Sequence, residues 1–342
     1  MITLAGLGRW VQYFVTSHPS LVGRKAAVVS RGIVIRIAGL ACALLGAATL
    51  ASAAELAPDP ALDTPLFATP THFDRAGRIL APVMINGKGP FRLIVDTGAS
   101  HSTLSIALAA ALGLQASDDQ GFTINGVTGS AHLPAVLIDR LQAGELTIRR
   151  FQMPVVTSAV MDGADGVLGL AGLRSKRVYV DFRNDRVVIA RDNQPARLGA
   201  HAVIQGSRLR DGLIAIDARI HGVRALAVID TGAERSLGNL ALREALRKQL
   251  AHEGIGQSVE VTGVTLDVSA GETGAAPQIS LGEGVKVDDV ALTFGDFHIF
   301  EVWQLEKRPA LLVGMDILGL VDALEIDFAN AEVRVVTKNM RE

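Results

Sequence analysis

The tetrapeptide Asp-Thr-Gly-Ala occurs twice in this sequence, at residues 96–99 and 230–233. Each copy follows a mostly apolar run, so each predicts a buried strand that ends in a tight turn carrying a carboxylate. A charged side chain in such a place needs a partner or a chemical role. Two of them in one chain predict that Asp96 and Asp230 meet.

Other landmarks repeat in the same order around the two motifs. Each half has a hairpin glycine before the motif, a serine six residues after the Asp, and a later apolar segment that ends in glycine. These landmarks are Gly87, Ser102 and Gly169 in the first half, and Gly222, Ser236 and Gly314 in the second. Because an internal repeat governs the whole fold, the chain is predicted to form two similar lobes, residues 71–192 and 200–342.

Composition favours β structure in both lobes. The chain has 342 residues, of which 49% are hydrophobic and 20% charged, as in globular proteins. Aromatic residues make up only 4% while glycine occurs 35 times, which suits short strands joined by tight turns. Helical spacing is confined to residues 104–114 and 240–251, whose simplest role is packing behind a sheet. We therefore expect a mainly β fold with a few short helices.

The N-terminal segment differs from the rest of the chain. Residues 1–54 contain no acidic residue, and an uncharged, Ala/Leu-rich run fills residues 37–54 after a basic stretch. The run ends in a small-x-small pattern at residues 51–53, which predicts a cleaved export signal and a periplasmic or secreted protein. An uncleaved membrane anchor is the alternative, and it would be the chain's only membrane contact. Residues 55–70 contain four prolines and predict a linker.

The sequence lacks the features that would indicate several classes of function. The net charge of −2 and the absence of a Lys/Arg-rich tract argue against nucleic acid. The eight histidines form no His-Glu-x-x-His pattern, which argues against a zinc enzyme. The only cysteine, Cys42, lies in the predicted signal, so the mature protein has no disulfide or thiolate. We expect neither a metal nor a cofactor.

Paired carboxylates supply an acid and a base without a metal. Two carboxylates that lie a few ångströms apart cannot both ionise, so the pKa of one rises and the pair shares a proton. The ionised member can activate water while the protonated member polarises a carbonyl, as amide hydrolysis requires. Gly98 and Gly232 allow close approach of other segments. Thr97 and Thr231 can hydrogen-bond to the backbone across such a contact.

These motifs resemble the aspartic peptidases of the retropepsin-like kind, with both lobes in one polypeptide. The likeness covers most of residues 71–342 and implies two pseudo-symmetric, acid-protease-type β-barrel lobes with a cleft between them. It implies that Asp96 and Asp230 form the catalytic dyad and that an extended polypeptide is the substrate. The implied supports of the catalytic loops are Thr97, Gly98, Thr231 and Gly232. Since one chain carries both motifs, a monomer should suffice.

The resemblance also implies a hairpin flap over the substrate. The candidates are the glycine-containing turns with Gly126 and Val127 in the first half and with Gly263 and Val264 in the second. Ordinary hairpin turns are the alternative for both segments. Their sequences carry no distinctive chemistry that decides between the two interpretations.

The second half departs from the pattern of the first. Glu234 follows its motif where Ser100 follows the first, and an extra carboxylate raises the pKa of the dyad if it points inward. The second half is also longer between its motif and its later glycine segment. The predicted function is an exported aspartic endopeptidase. The alternative is a peptide-binding module of the same fold that has lost turnover.

Overall fold

The protein is mainly β, as the sequence predicts, with 56% of the described residues in strands and 13% in helices. The computed structural model describes residues 15–16, 69–70, 77–157, 161–191, 202–209, 212–253 and 255–336. Most of the predicted export signal (1–54) and linker (55–70) therefore lies outside the described residues. None of the described helices is long and apolar enough to cross a membrane.

The strands form two series with matching order. The first series is β1 (Val15–Thr16), β2 (Thr69–Pro70), β3 (Leu80–Ile85), β4 (Lys88–Val95), β5 (Thr103–Ser105), β6 (Ser117–Asn125), β7 (Ser130–Ala143), β8 (Leu146–Val156), β9 (Gly166–Leu168), β10 (Lys176–Asp181) and β11 (Arg186–Arg191). The second is β12 (Ala202–Arg208), β13 (Ile214–Ile220), β14 (Val223–Ile229), β15 (Leu237–Gly238), β16 (Ile255–Thr262), β17 (Val268–Leu281), β18 (Val285–Gly295), β19 (Ala310–Val313), β20 (Ala323–Asp327) and β21 (Glu332–Val336).

The helices are short. They are α1 (Ile106–Ala111), α2 (Leu240–Ala245), α3 (Arg247–Glu253), α4 (His298–Val302) and α5 (Met315–Leu318), with a 3-10 turn at Leu170–Gly172. Helices α1 and α2 take equivalent positions in the two halves. Ser105 caps α1 by accepting a hydrogen bond from the N–H of Leu108 at 3.1 Å. Asn239 caps α2 in the same way, accepting from Leu242 at 2.8 Å. A side-chain oxygen at this position satisfies one of the free N–H groups that begin a helix.

The first lobe is a closed ring of six strands. Its order is β3-β4-β9-β5-β8-β7, and the pairing of β3 with β7 closes the ring into a barrel. Along β3, the buried residues Val83 and Ile85 alternate with half-buried Pro82 and Met84. This alternation places one face of the strand in the barrel interior. The apolar pattern of the sequence therefore sets which side chains fill the core.

The second lobe repeats this ring strand for strand. Its order is β13-β14-β19-β15-β18-β17, and the pairing of β17 with β13 closes it. The strand before each Asp motif pairs in parallel with the later apolar segment, β4 with β9 and β14 with β19. Outside each ring, β6 pairs with β7 and β16 pairs with β17 to form two long hairpins. The internal repeat of the sequence is thus a repeat of the fold.

An antiparallel sheet joins the two lobes. Its order is β12-β21-β20-β10-β11-β2, and within this sheet the lobes meet where β10 pairs with β20, with Val178 opposite Ile326. The guanidinium of Arg177 lies 2.7 Å from the carboxylate of Asp327 across this pairing. Since Asp327 is almost fully buried, the charge-assisted hydrogen bonds of this pair also satisfy a carboxylate that water does not reach.

Two short strands come from segments that the sequence assigns to the leader and the linker. The strand β1 pairs with β16, with Val15 opposite Val261 and Thr16 opposite Glu260. The strand β2 pairs with β11 and forms the edge of the joining sheet. The folded structure therefore takes in part of the predicted 55–70 linker, whose final two residues form β2.

Candidate active site

Each Asp of the repeated motif directly follows a strand of its ring. Asp96 follows β4, Asp230 follows β14, and both are fully buried. The N–H of Asp96 donates to the main-chain oxygen of Leu168 at 3.0 Å, and that of Asp230 donates to Val313 at 3.0 Å. These bonds continue the parallel pairing with β9 and β19 by one residue. The backbone of each Asp is therefore fixed by its own lobe.

The threonines of the two motifs bind each other's lobes reciprocally. The N–H of Thr97 donates to Oγ1 of Thr231 at 3.2 Å, and the N–H of Thr231 donates to Oγ1 of Thr97 at 3.1 Å. The Thr97 hydroxyl donates to the main-chain oxygen of Ile229 at 2.7 Å, and the Thr231 hydroxyl donates to that of Val95 at 2.7 Å. Four buried hydrogen bonds thus hold the two catalytic-loop candidates together.

The glycines of the motifs leave room for the opposite carboxylate. A Cβ atom built on Gly98 would come within 2.7 Å of both carboxylate oxygens of Asp230. A Cβ atom built on Gly232 would come within 2.5 Å of both oxygens of Asp96. Real side chains do not tolerate such distances, so each Asp reaches across the lobe boundary only because glycine stands opposite. The two carboxyl groups consequently lie side by side.

The carboxyl groups accept hydrogen bonds from their own turns. Oδ1 of Asp96 accepts from the N–H groups of Gly98 at 2.8 Å and Ala99 at 2.9 Å. Oδ1 of Asp230 accepts from the N–H of Gly232 at 2.9 Å. Oδ2 of Asp96 is buried and receives a hydrogen bond from no donor within the described residues. Because two ionised carboxylates are both acceptors, a hydrogen bond between Asp96 and Asp230 requires a proton on one of them.

Burial raises the pKa of Asp96 well above its ordinary range, and the neighbouring charge of Asp230 raises it further. The N–H groups of Gly98 and Ala99 act in the opposite direction because they stabilise the ionised form. The net direction is upward, so the pair retains a proton at a pH where an isolated Asp has lost it. Titration in such a pair belongs to both carboxyls together.

The sequence predicts no metal or cofactor at this place. Within the described ranges, no group of three or more His, Cys, Asp or Glu side chains is arranged to hold a metal ion. The acidic side chains that converge are the two buried members of the pair. The carboxylate of Asp316, two residues after Gly314, binds Ser236 instead.

Each motif rests on the later glycine segment of its own lobe. The N–H of Gly169 donates to the hydroxyl of Ser102 at 3.0 Å, and the N–H of Gly314 donates to that of Ser236 at 3.0 Å. A Cβ atom on Gly169 would lie 2.6 Å from the main-chain oxygen of His101, so glycine is required for this contact. The serine and glycine landmarks of the sequence therefore form the same hydrogen-bonded support in each lobe.

The second lobe adds a carboxylate to that support. The hydroxyl of Ser236 donates to Oδ1 of Asp316 at 2.6 Å, and its N–H donates to Oδ2 at 3.0 Å. Burial raises the pKa of Asp316, although the bonds from Ser236 and the charge of Arg235 act against this rise. Ala171 stands at the equivalent position of the first lobe. The two supports thus differ in charge while keeping the same backbone contacts.

The four flap candidates occupy the tips of the two long hairpins. Gly126 and Val127 lie in the turn between β6 and β7, and Gly263 and Val264 lie in the turn between β16 and β17. The tips touch each other, since the N–H of Gly263 donates to Oγ1 of Thr128 at 3.0 Å. Val127 and Val264 are both buried. The hairpins therefore reach towards one another from opposite lobes.

A cavity of about 130 Å³ lies beside the first motif and against Val264 of the second hairpin tip. It is bounded by the loop that follows Asp96, the end of β6, β9, Val264 and the α4 region. Its lining residues are Gly98, Ala99, Ser100, His101, Thr103, Thr123, Ile124, Asn125, Val167, Val264, Ile299, Val302 and Trp303. The cavity is therefore built from both lobes.

Glu234, which departs from the first motif, pairs with its neighbour. Its Oε1 lies 3.8 Å from Nε of Arg235, and its side chain is 27% exposed. Its main-chain oxygen accepts a hydrogen bond from the N–H of Asp316 at 3.1 Å. Burial and the charge of Asp230 are the largest causes of the raised pKa of Asp96, ahead of any contribution from this side chain.

The α4 region is the part of the site that sequence reasoning missed. The N–H of Ile299 donates to the main-chain oxygen of Val127 at 3.2 Å, and Trp303 and Ile299 line the cavity. The only signal was the extra length of the second half between its motif and its glycine segment. That length gave no indication that the insertion would contact the opposite lobe.

Comparison with known proteins supports the interpretation of the first lobe. Residues 81–171 match a family model described as aspartyl protease. This segment begins in β3, contains the first Asp motif and the first flap candidate, and ends in the Leu170–Gly172 turn. A search of the curated proteins found no match.

Proposed function

We propose that this chain, an aspartyl protease of the retropepsin-like type, is an exported endopeptidase that cleaves peptide bonds with a water activated by Asp96 and Asp230. The observation that carries the proposal is the pair of fully buried carboxyls, Asp96 and Asp230, each of which lies against the glycine of the other motif. Reciprocal bonds of Thr97 and Thr231 hold the pair across the lobe boundary. Stability alone gives no reason to bury two like charges together.

The two carboxyls take different roles, because one is ionised and the other is protonated. The ionised carboxylate takes a proton from water as the water oxygen attacks the carbonyl carbon, and the protonated carboxyl donates to the carbonyl oxygen. The tetrahedral intermediate then collapses. The C–N bond breaks as the leaving nitrogen takes a proton from one carboxyl, and a hydroxyl of the intermediate returns its proton to the other carboxylate, which restores the singly protonated pair. The N–H groups of Gly98, Ala99 and Gly232 keep the carboxyls oriented throughout.

The substrate is an extended polypeptide that lies between the dyad and the two hairpin tips. A chain in this position can pair its backbone with strand edges, which is the usual way in which extended peptides add to β structure. Opening of the contact between Gly263 and Thr128 would admit the chain, and closing would exclude water. Because both Asp residues come from one polypeptide, a monomer completes the site.

Export is supported by the sequence of residues 1–54. The basic segment, the apolar run and the small-residue pattern at residues 51–53 have the order of a cleaved signal. We expect the mature chain to begin near residue 54 in the periplasm or outside the cell. N-terminal sequencing of the protein from fractionated cells tests this, and an intact leader in the membrane fraction would favour an anchor.

Substitution of each Asp tests the proposed mechanism. Asp96→Asn and Asp230→Asn should each reduce cleavage of an unfolded protein by about 10²–10⁴-fold, because a general acid or base is worth that much. Asp217→Asn is the matched control, since Asp217 is exposed on β13. We expect pepstatin to inhibit the wild type. Wild-type activity in either dyad variant would overturn the dyad.

The rival function is a binding module of the same fold. A cleft between two β lobes can hold an extended chain whether or not it cuts it. Binding of the unfolded protein without cleavage at any pH from acidic to neutral would favour the module over the enzyme. Loss of cleavage with retained binding in Asp230→Asn would instead favour the enzyme.

A further inference from the structure

We infer that Arg140, Arg149 and Arg150, on the surface of the first lobe, form a binding site for a phosphate group. Arg140 lies on β7, and Arg149 and Arg150 lie on β8. All three side chains are exposed, and none of them lines the cavity beside Asp96. The site is therefore separate from that cavity, and its ligand is one that the proposed cleavage does not require.

Both strands are irregular where they carry these arginines. Along β7, Ile138 and Leu141 are buried while the two residues between them are exposed, although a regular strand would bury one of the two. On β8, the neighbours Arg149 and Arg150 are also both exposed. Arg150 has a φ of 46°, in the left-handed region that residues other than glycine seldom adopt. The irregularity thus exposes adjacent arginines instead of burying one of them.

Two of the arginines face each other directly. The register of β7 and β8 places Arg140 opposite Arg149, and like charges in directly opposite positions are destabilising. Among the described residues, no carboxylate forms an ion pair with any of the three arginines, and this includes exposed Asp139, which precedes Arg140. The described part of the chain therefore supplies no counter-ion to this positive charge.

The second lobe builds the same place without this charge. In each lobe, the N–H of the residue before the turn glycine donates to a main-chain oxygen, that of Arg140 at 2.8 Å and that of Gln278 at 3.0 Å. Gln278 is therefore the counterpart of Arg140, and Asp288, which lies opposite Gln278, is the counterpart of Arg149. Nε2 of Gln278 donates to Oδ1 of Asp288 at 3.2 Å. The fold thus does not require arginine at these positions, because the second lobe pairs the same two side chains with each other.

A phosphate group suits three guanidinium groups better than a carboxylate does. A guanidinium presents its donors as a planar fork, which binds a carboxylate or a phosphate through two parallel hydrogen bonds. A carboxylate has two oxygens and one charge, so a single fork occupies it. A phosphate monoester has three free oxygens and a charge of about −1.5 to −2, so forks from both strands can bind it together. An anion between Arg140 and Arg149 would also offset their repulsion.

A second pair of opposed arginines provides a matched control. Arg219 on β13 lies opposite Arg224 on β14, and both are exposed. Their pocket also contains Asp217 and Glu283, so its positive and negative side chains are equal in number. We therefore expect no phosphate site at this pair.

Calorimetric titration of the full chain with inorganic phosphate, at low ionic strength and constant sodium concentration, tests the site. Arg140→Gln and Arg149→Gln should each weaken binding by about 10–100-fold, because each removes charge-assisted hydrogen bonds. Arg140→Lys keeps the charge but loses the fork, so it should restore only part of the loss. Arg224→Gln should bind phosphate like the wild type. No binding by the wild type, or an equal loss in Arg224→Gln, would overturn the site.

Urea unfolding gives a second readout of the same site. Without phosphate, Arg140→Gln should unfold at a higher urea concentration than the wild type, because the opposed charges are gone. Added phosphate should raise the urea midpoint of the wild type more than that of the variant, since a ligand of the native state stabilises it. Equal rises in both proteins would be the general effect of a phosphate salt and would contradict the site.

Vesicles distinguish the source of the phosphate group. Co-sedimentation compares vesicles of phosphatidylcholine with vesicles that also contain phosphatidic acid, whose headgroup is a phosphate monoester. Retention of the wild type on phosphatidic acid alone, with loss of retention in Arg149→Gln, supports a lipid headgroup as the ligand. Binding of free phosphate without retention supports a soluble phosphate compound. Absence of both would overturn the site, and it would leave the proposed function standing because neither readout involves cleavage.

Discussion

Replacing Asp96 by Asn tests the shared proton through stability. Burial and the charge of Asp230 raise the pKa of Asp96 in the native state, whereas an unfolded Asp titrates at about 3.9. The native state therefore keeps a proton that the unfolded chain releases. This contribution to stability is complete below the unfolded pKa and is lost as the pH rises through the native pKa. Asparagine carries no charge, so the variant escapes the loss.

The expected slope of the free energy of unfolding against pH follows from the release of one proton on unfolding. Between the unfolded and the native pKa, the free energy of unfolding of the wild type falls by about 1.4 kcal/mol per pH unit relative to Asp96→Asn. Above the native pKa, the difference reaches a plateau, and the start of that plateau reports the pKa. Urea unfolding of both proteins at intervals from pH 4.5 to 8 measures the curve. The variant should be the more stable protein at neutral pH.

Asp181→Asn is a control, because the contribution of Asp181 to stability changes with pH in the opposite direction. Partial burial raises the pKa of Asp181, but hydrogen bonds from Asn184, Tyr179 and Arg183 outweigh it and lower the pKa overall. Its contribution is present at neutral pH and is lost as the pH falls through the native pKa. This variant should therefore be less stable than the wild type at pH 7, with a smaller difference near pH 3. A constant difference between wild type and Asp96→Asn from pH 4.5 to 8 would refute the shared proton.

Three further substitutions test the support of the site. Thr97→Ala should lower the free energy of unfolding by about 1–3 kcal/mol for each buried partner left unpaired, as measured by urea midpoint, and Thr97→Ser should restore most of it. Gly98→Ala should reduce kcat/KM for peptide cleavage by at least about 100-fold with the circular dichroism spectrum unchanged, because the new methyl group displaces the opposite carboxyl. Ser236→Ala should lower the melting temperature more than Ser102→Ala, since it also removes a hydrogen bond to Asp316; equal effects would contradict this role.

The repeat in the sequence was enough to predict the architecture. Glycines at equivalent distances from each Asp marked a hairpin before each motif and a later apolar segment, so one pattern read twice predicted two similar lobes. The mainly β fold is confirmed. The paired motifs also led to the expectation that Asp96 and Asp230 meet, and the structure brings them together. Their catalytic roles stay a prediction.

Contacts between the lobes other than those of the two motifs were beyond the sequence. The pairing of β10 with β20 joins residues about 150 positions apart, and alternation along a strand says nothing about which distant strand lies beside it. The contact of Ile299 with Val127 is a backbone hydrogen bond, which any residue type can make. The helix predicted over 240–251 is divided into α2 and α3 around Leu246, because apolar spacing does not report the break.

Because both lobes belong to one chain, a mutation changes only one of them. A dimer of identical subunits repeats every mutation on both sides of its axis, so one wall of its cleft cannot change without the other. In this chain, each lobe mutates alone, as Glu234 opposite Ser100 and Asp316 opposite Ala171 illustrate. The shared threonine and glycine contacts leave little freedom to either copy. Selection can therefore reshape one half of the cleft for a new substrate while the dyad remains symmetrical.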